Sequence, residues 1–349
     1  MQIHQTRLPF FAFFAYMIKK YFWSLLVAVL LYGCGANTNK PAKLVKLSAI
    51  DSVSQRIAVE PNNHQLLADR AKLLMEQNDF MGAKIDIAKA IYMDSTVGNY
   101  YTVLADVYMG LKQPAGARFA LEKCVEIDPN NVEGLNKLAE FNMFLGEFKE
   151  TISLADRALK IDVHNAHSYF IKGFAFMESG DTIKAISSMQ TATEQDPDYY
   201  DAYMQLGLLF SAKHNTLAVN YFDNASKLRP NSTEVYYGLA MYYQENGKPD
   251  KAVEVYKLLL KLDPKYAEAH YNMGFISFKI KRNYEEAIQH FTNAVAANPK
   301  MAKAPYMRGL CYEALKQPDK AKTQYAYALQ LDSSYALAAK ANKRLLGVK

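Results

Sequence analysis

A proline or an aspartate returns along this chain at a spacing of 34 residues, and that beat constrains the fold more than any other feature. Pro61, Pro129, Pro197, Pro230, Pro264 and Pro299 stand in similar contexts, such as Asp128-Pro129-Asn130-Asn131 and Asp263-Pro264-Lys265-Tyr266. Where the proline is missing, Asp94-Ser95, Asp162-Val163 and Asp332-Ser333 keep the place. The unit ending at Pro230 is shortened and the one ending at Pro299 is lengthened. A unit this short cannot enclose a core alone, so each must bury its apolar face on its neighbours.

Alignment at His64, Gly98, Val132, Ala166, Tyr200, Thr233, Ala267 and Ala302 gives eight copies, each with two helical patterns. The eighth position reads Ala71, Ala105, Ala139, Gly173, Gly207, Ala240, Gly274, Gly309. The twentieth reads Ala83, Ala117, Thr151, Ala185, Ala218, Ala252, Ala287, Ala321, and the twenty-seventh Ala90, Cys124, Ala158, Ala192, Ala225, Leu259, Ala294, Ala328. Small residues in such a rhythm predict antiparallel helices in backbone contact. Large residues take the complementary slots: Tyr108, Phe176, Phe210, Tyr243 and Tyr312 at the eleventh, and Ile87, Leu121, Met189, Phe222, Tyr256, Phe291 and Tyr325 at the twenty-fourth. Pro114, Pro249 and Pro318 open second helices, where a missing N–H is harmless.

These positions resemble the tetratricopeptide repeat. The resemblance implies an all-α fold: a right-handed α-solenoid superhelix of about eight helix-turn-helix units over 64–335. A lone helix is expected within 47–63 and a polar-faced capping helix within 336–349. Asn142 and Ser277 at the eleventh position, and Pro305 near the start of the eighth unit, depart from the pattern and predict looser packing there.

The N-terminus carries a different message. Lys19-Lys20, the apolar run Tyr21–Leu31 and then Tyr32-Gly33-Cys34 form the three parts of an export signal, and the run is shorter than the roughly 20 residues a spanning helix needs. Leu31-Tyr32-Gly33-Cys34 resembles the lipobox of bacterial lipoproteins, though Tyr32 departs from the usual small or branched residue. The resemblance implies cleavage of 1–33, a diacylglycerol on Cys34 and a polar tether over 35–46. Gly35 in place of aspartate implies the outer membrane, facing either the periplasm or the outside. Met17 opens a more ordinary signal, Met-Ile-Lys-Lys, and is the expected translation start.

In the resembled family, the second, fifth, ninth and twelfth positions of each first helix line a concave surface. The fifth and ninth positions are polar in the first three units, as in Thr102, Asp106, Asn136 and Glu140. They then become apolar: Phe170 and Phe174, Met204 and Leu208, Tyr237 and Met241, Tyr271 and Phe275, Tyr306 and Leu310. Such side chains suit recognition of a peptide or helix. Three readings stay open: a partner-binding groove, padding between units, or a stripe covered by a dimer partner or the chain's own tether. The family's carboxylate clamp, Lys and Asn at those positions of one unit, is absent, so an apolar or amphipathic segment is the expected ligand.

Charge and motifs exclude other classes. Of 41 basic residues, Arg7, Lys19 and Lys20 fall before Cys34 with no acid, leaving 38 basic and 35 acidic. That near-balance lacks the basic run of a nucleic-acid binder. No hydrolase, zincin, nucleotide or dinucleotide motif occurs, so no enzyme activity, cofactor or metal is expected. His164 and His167 straddle a unit junction, and Cys124 and Cys311 read as small apolar packing residues. The expected role is an interaction scaffold tethered to the cell envelope, binding protein or peptide partners. The alternative is a carrier shielding apolar segments of envelope proteins in transit.

Overall fold

The computed structural model describes residues 48–347. Among these residues there is no strand, and eighteen α-helices follow one another. Helix α1 is Ala49–Val59. Eight helix pairs follow: α2 (His64–Glu76) with α3 (Phe80–Met93), α4 (Gly98–Gly110) with α5 (Pro114–Ile127), α6 (Val132–Phe144) with α7 (Phe148–Ile161), α8 (Ala166–Glu178) with α9 (Thr182–Gln195), α10 (Tyr200–Ala212) with α11 (Leu217–Leu228), α12 (Thr233–Glu245) with α13 (Pro249–Leu262), α14 (Ala267–Ile276) with α15 (Tyr284–Ala297), and α16 (Lys303–Ala314) with α17 (Pro318–Leu331). Helix α18 (Ala336–Leu346) closes the series. Two compact units, Met1–Ser179 and Gly180–Lys349, divide the chain, and within each unit consecutive helices pack side by side as in an α-solenoid. Cys34 and its surroundings lie outside the described residues.

The aspartate beat has a local cause. At the end of most second helices a side-chain oxygen turns back onto the backbone N–H two residues on, as with Asp94 onto Thr96 (2.9 Å), Asp162 onto His164 (3.0 Å), Asp196 onto Asp198 (2.9 Å), Asp263 onto Lys265 (2.9 Å) and Asp332 onto Ser334 (2.9 Å). This Asx turn supplies the reversal that continued helix would deny. Several second helices begin with proline in the first turn, as at Pro114, Pro249 and Pro318, and others with a capping side chain, as where Asp79 accepts from the Gly82 N–H (2.9 Å).

Every residue at the twentieth and twenty-seventh positions is fully buried, Thr151 and Leu259 included. Thr151 survives there because its hydroxyl donates to the carbonyls of Glu147 (2.9 Å) and Ala139 (3.2 Å). The eighth-position glycines have a different neighbour from the expected backbone. A Cβ on Gly207 would lie 2.7 Å from the Phe222 ring, and one on Gly274 would lie 2.9 Å from the Phe291 ring. The glycine makes room for the large twenty-fourth-position residue of its own partner helix, so ring-into-backbone packing replaces backbone-to-backbone contact at these sites.

The irregular positions resolve individually. The lengthened unit absorbs its extra residue as a π-helical turn, Ser277–Lys281, closed by Arg282 in the left-handed region (φ 51°). Asn142 is buried with Oδ1 unpartnered, a polar defect in an otherwise apolar slot. Pro305 is buried within the first turn of α16, where no intrahelical bond needs its missing N–H.

Candidate functional site

The fifth and ninth positions of the first helices change chemistry along the chain. Around α4 and α6 the side chains are polar and paired. Lys137 reaches Asp106 (2.5 Å) and Glu133 (3.1 Å), and His167 lies 3.0 Å from Glu140. Burial pulls the Lys137 ammonium down, but Asp106 and Glu133 more than offset it and hold the charge. Asn136 sits in a side-chain network, accepting from Ser168 (2.7 Å) and donating to Asn165 (3.2 Å). These groups satisfy one another and leave little for a ligand.

The expected apolar stripe does not have uniform exposure. Phe170 and Phe174, on α8, are buried with ring centroids 6.1 Å apart, and Met204 on α10 is buried too. Leu208 is half-buried. From α12 onward the side chains are partly buried, as Leu208 is: Tyr237, Met241, Tyr271, Phe275, Tyr306 and Leu310 each keep only part of their surface in solvent. Tyr271 and Phe275 rest on the core around Phe291 and Met307, and Tyr306 and Leu310 on the same core and on Tyr325. Three consecutive first helices, α12, α14 and α16, thus form an aromatic wall in the second unit.

Two further tyrosines belong to this wall and were not singled out by the sequence reading. Tyr266 and Tyr335 are the N-caps of α14 and α18, and neither makes a side-chain capping bond. Their rings pack sideways instead, Tyr266 on Tyr237 (centroids 5.5 Å apart) and Tyr335 edge-on to Tyr306 (5.3 Å). The signal was available: Asn131 and Asn165 hold the equivalent position in earlier pairs and cap with their side chains, accepting from Gly134 (2.8 Å) and Ser168 (2.9 Å). A capping asparagine exchanged for tyrosine gives up a helix cap, usually worth about 1 kcal/mol, and adds a ring to the wall.

The wall's hydroxyls are un-ionised. Burial pushes the Tyr266 and Tyr271 phenols up to about 12, with neighbouring tyrosines adding to it. Behind the wall, buried Asn272 donates to the Tyr256 hydroxyl (2.9 Å) and fixes the α13–α14 contact. Lys303 sits over the Tyr271 ring, 4.3 Å from its centroid, placing a cation at the edge of the apolar surface.

Nothing reactive accompanies this geometry among the described residues. Burial pushes the thiols of Cys124 and Cys311 up to about 11 and about 12, far from thiolate chemistry. No group of three or more His, Cys, Asp or Glu side chains is placed to hold a metal ion. No described helix is long and apolar enough to cross a membrane.

Four models of the tetratricopeptide repeat match the chain, over residues 98–131 and 166–199, 221–254, 242–281 and 281–341. The chain is a tetratricopeptide-repeat protein. It is 23% identical over 224 residues to Superkiller complex protein 3 of Mus musculus, a match covering 59% of this chain and 14% of that one. It is 20% identical over 223 residues to Anaphase-promoting complex subunit 3 of Schizosaccharomyces pombe, covering 64% and 33%. The match thus spans no more than about a third of either relative. Among solved structures, the C-terminal part of a tetratricopeptide-repeat protein from Cytophaga hutchinsonii superposes with a TM-score of 0.59 at 19% identity, over 68% of this chain and 97% of that one. That likeness concerns the fold. Proteins of this repeat family serve generally as protein-interaction scaffolds.

Proposed function

We propose that this protein is a membrane-tethered interaction scaffold that holds a partner of the cell envelope on the aromatic wall of its second unit. The observation that carries the reading is the run of Tyr237, Met241, Tyr271, Phe275, Tyr306 and Leu310 on neighbouring first helices, each left partly open to solvent. Contiguous apolar side chains partly open to solvent and rimmed by polar residues are what interaction sites present. The tyrosines at the capping positions of α14 and α18 support it, since they enlarge the surface at the expense of helix caps. Two curated relatives are named as members of complexes, which fits a scaffold. The expected occupant is an apolar or amphipathic segment, with an acidic group placed to meet Lys303. The tether is the diacylated Cys34, whose two chains supply stable anchoring where one would be marginal; by the Gly35 rule the membrane is the outer one.

Capture from envelope extracts tests the wall. Wild type should retain one partner in stoichiometric amount, and the Phe275→Asp/Leu310→Asp variant, altered at partly exposed sites, should lose it while keeping its helical signal. Undiminished capture by that variant refutes the groove, and many weakly held clients in place of one would favour the carrier role. The anchor is tested separately: the intact mass of the protein from cells should show a diacylglycerol adduct that Cys34→Ser abolishes.

A further inference from the structure

A second apolar surface lies on the outside of the first helix pair. Helix α3 carries apolar residues on both faces. Ala83, Ile87 and Ala90 point inward and are fully buried, while Met81, Ile85 and Tyr92 point outward and are 60, 68 and 91% exposed, with Ala88 exposed between them. The spacing of 81, 85, 88 and 92 places all four along one face of a helix. In the next pair, Phe119 occupies the same repeat position as Ile85 and is 58% exposed. In the other pairs this face is mostly polar, with Ile183 of the fourth pair, 78% exposed at the repeat position of Met81, as an isolated exception. The face's four positions are Lys149, Ser153, Asp156 and Lys160 in the third pair, and Asp250, Glu254, Lys257 and Lys261 in the sixth.

Cations flank the stripe along its length and acids stand at its two ends: Lys84 lies 5.0 Å from the centroid of the Tyr108 ring, while Asp79 and Asp94 are turned into the helix caps, accepting from the Gly82 and Thr96 N–H groups (2.9 Å each). The cations of α3 are Lys84 and Lys89; its acid, Asp86, turns inward onto Arg70 (2.6 Å). On the adjoining α5, Glu122 and Glu126 are tied to Arg118 (2.9 Å) and Lys123 (2.6 Å). An apolar stripe with an aromatic residue and flanking lysines has the composition of a helix that lies in a membrane interface. The location agrees. Only 13 residues separate Cys34 from Ser48, so a chain anchored at that cysteine enters the first helix within roughly 45 Å of the bilayer.

We infer that the outer face of α3, with Met81, Ile85, Ala88 and Tyr92 inserted and Lys84 and Lys89 at anionic headgroups, seats the first helix pair on the membrane surface. The patch is small, so it acts together with the lipid on Cys34 and orients the scaffold. The inference rests on the anchor proposed above, and its test separates the two.

The native chain contains one tryptophan, Trp23. In the full chain, Trp23→Phe with Tyr92→Trp places a fluorescent reporter on the patch, and Trp23→Phe with Lys261→Trp places one at the same position of the sixth pair. With vesicles containing anionic phospholipid, the Tyr92→Trp emission should shift to the blue and be quenched by lipids brominated on their acyl chains; Lys261→Trp should change in neither respect. Adding Met81→Asp and Ile85→Asp to the Tyr92→Trp chain should abolish both the blue shift and the quenching. An unshifted Tyr92→Trp on a chain whose Cys34 is acylated by mass overturns this inference and leaves the anchor standing. A shift on a chain whose Cys34 is unmodified supports the patch and removes the anchor. A shift that appears without vesicles and grows with protein concentration overturns it in favour of self-association.

Discussion

Gly207 and Phe222 share one space: the Phe222 ring lies where a side chain on Gly207 would begin, 2.7 Å from the position of a Cβ. The same ring lies 2.8 Å from a Cβ built on Gly238 of the following pair, so one phenylalanine is gripped between two glycines. Two effects then compete in Gly207→Ala. Alanine gains about 1 kcal/mol of helix propensity, while overpacking a filled core costs typically about 1–3 kcal/mol. Phe222 is fully buried and has nowhere to move, so the clash wins. Gly207→Ala should lower the thermal midpoint, and Gly207→Ala with Phe222→Leu should recover much of the loss. A midpoint at or above wild type for the single variant would show that the ring yields.

The turns inside the helix pairs give a cleaner conformational test. Each contains one residue with positive φ: Asn78, Lys112, Gly146, Gly180, His214, Gly247, Arg282 and Lys316, between 51° and 90°. Glycine occupies this conformation without strain, whereas an L side chain with no local bond to compensate is disfavoured by about 1–2 kcal/mol. Lys112→Gly and Lys316→Gly should each stabilise by about 0.5–1 kcal/mol after the added freedom of the unfolded chain is subtracted. Gly146→Ala should destabilise by a similar amount, although nothing lies within 4 Å of its Cβ position. Chemical denaturation of the three variants checks both signs.

That turn residue marks where sequence reading ran out. The small residues at positions twenty and twenty-seven could be read directly, because a helix seam tolerates so few alternatives, and every one of them is buried. The turn was obscure because glycine announces it only at Gly146, Gly180 and Gly247, while asparagine, histidine, lysine and arginine hold it in the other five pairs. The exposure of the stripe was obscure for another reason. Phe170, Phe174 and Met204 look no different in sequence from Phe275 or Met241, and their burial depends on what the surrounding helices place against them. The tyrosines at Tyr266 and Tyr335 were hidden by lying at a junction, outside the helical periodicity that drew attention to their neighbours.

Those junction tyrosines separate binding from stability. Tyr266→Asn restores the capping residue used at Asn131 and Asn165, worth about 1 kcal/mol, and removes a ring contact with Tyr237 worth about 0.5–1.5 kcal/mol. The two nearly cancel, so the thermal midpoint should move little. Binding at the wall should weaken about tenfold, the usual scale for losing an aromatic anchor. Calorimetric titration of the captured partner into Tyr266→Asn, beside a melting curve, provides both readouts. A variant that melts far below wild type would make Tyr266 structural first.

Acid should loosen the seventh pair. The rings of His270 and His290 lie 6.4 Å apart, and each has a buried Nδ1 without a hydrogen-bond partner. Burial holds the His290 imidazole below its ordinary value; Glu286, 3.9 Å away, opposes this, and His270 and Lys257 add to it. In the unfolded chain the same imidazole titrates near 6.5. Between its depressed folded value and about 6.5 the unfolded chain therefore binds more protons, so the stability present above that pH is lost as the pH falls below it. Wild type should lose thermal midpoint between about pH 7.5 and 5.5, a window above the ordinary carboxylate range, and His290→Leu should lose less over the same interval. Equal losses in the two proteins would place the acid sensitivity elsewhere in the chain.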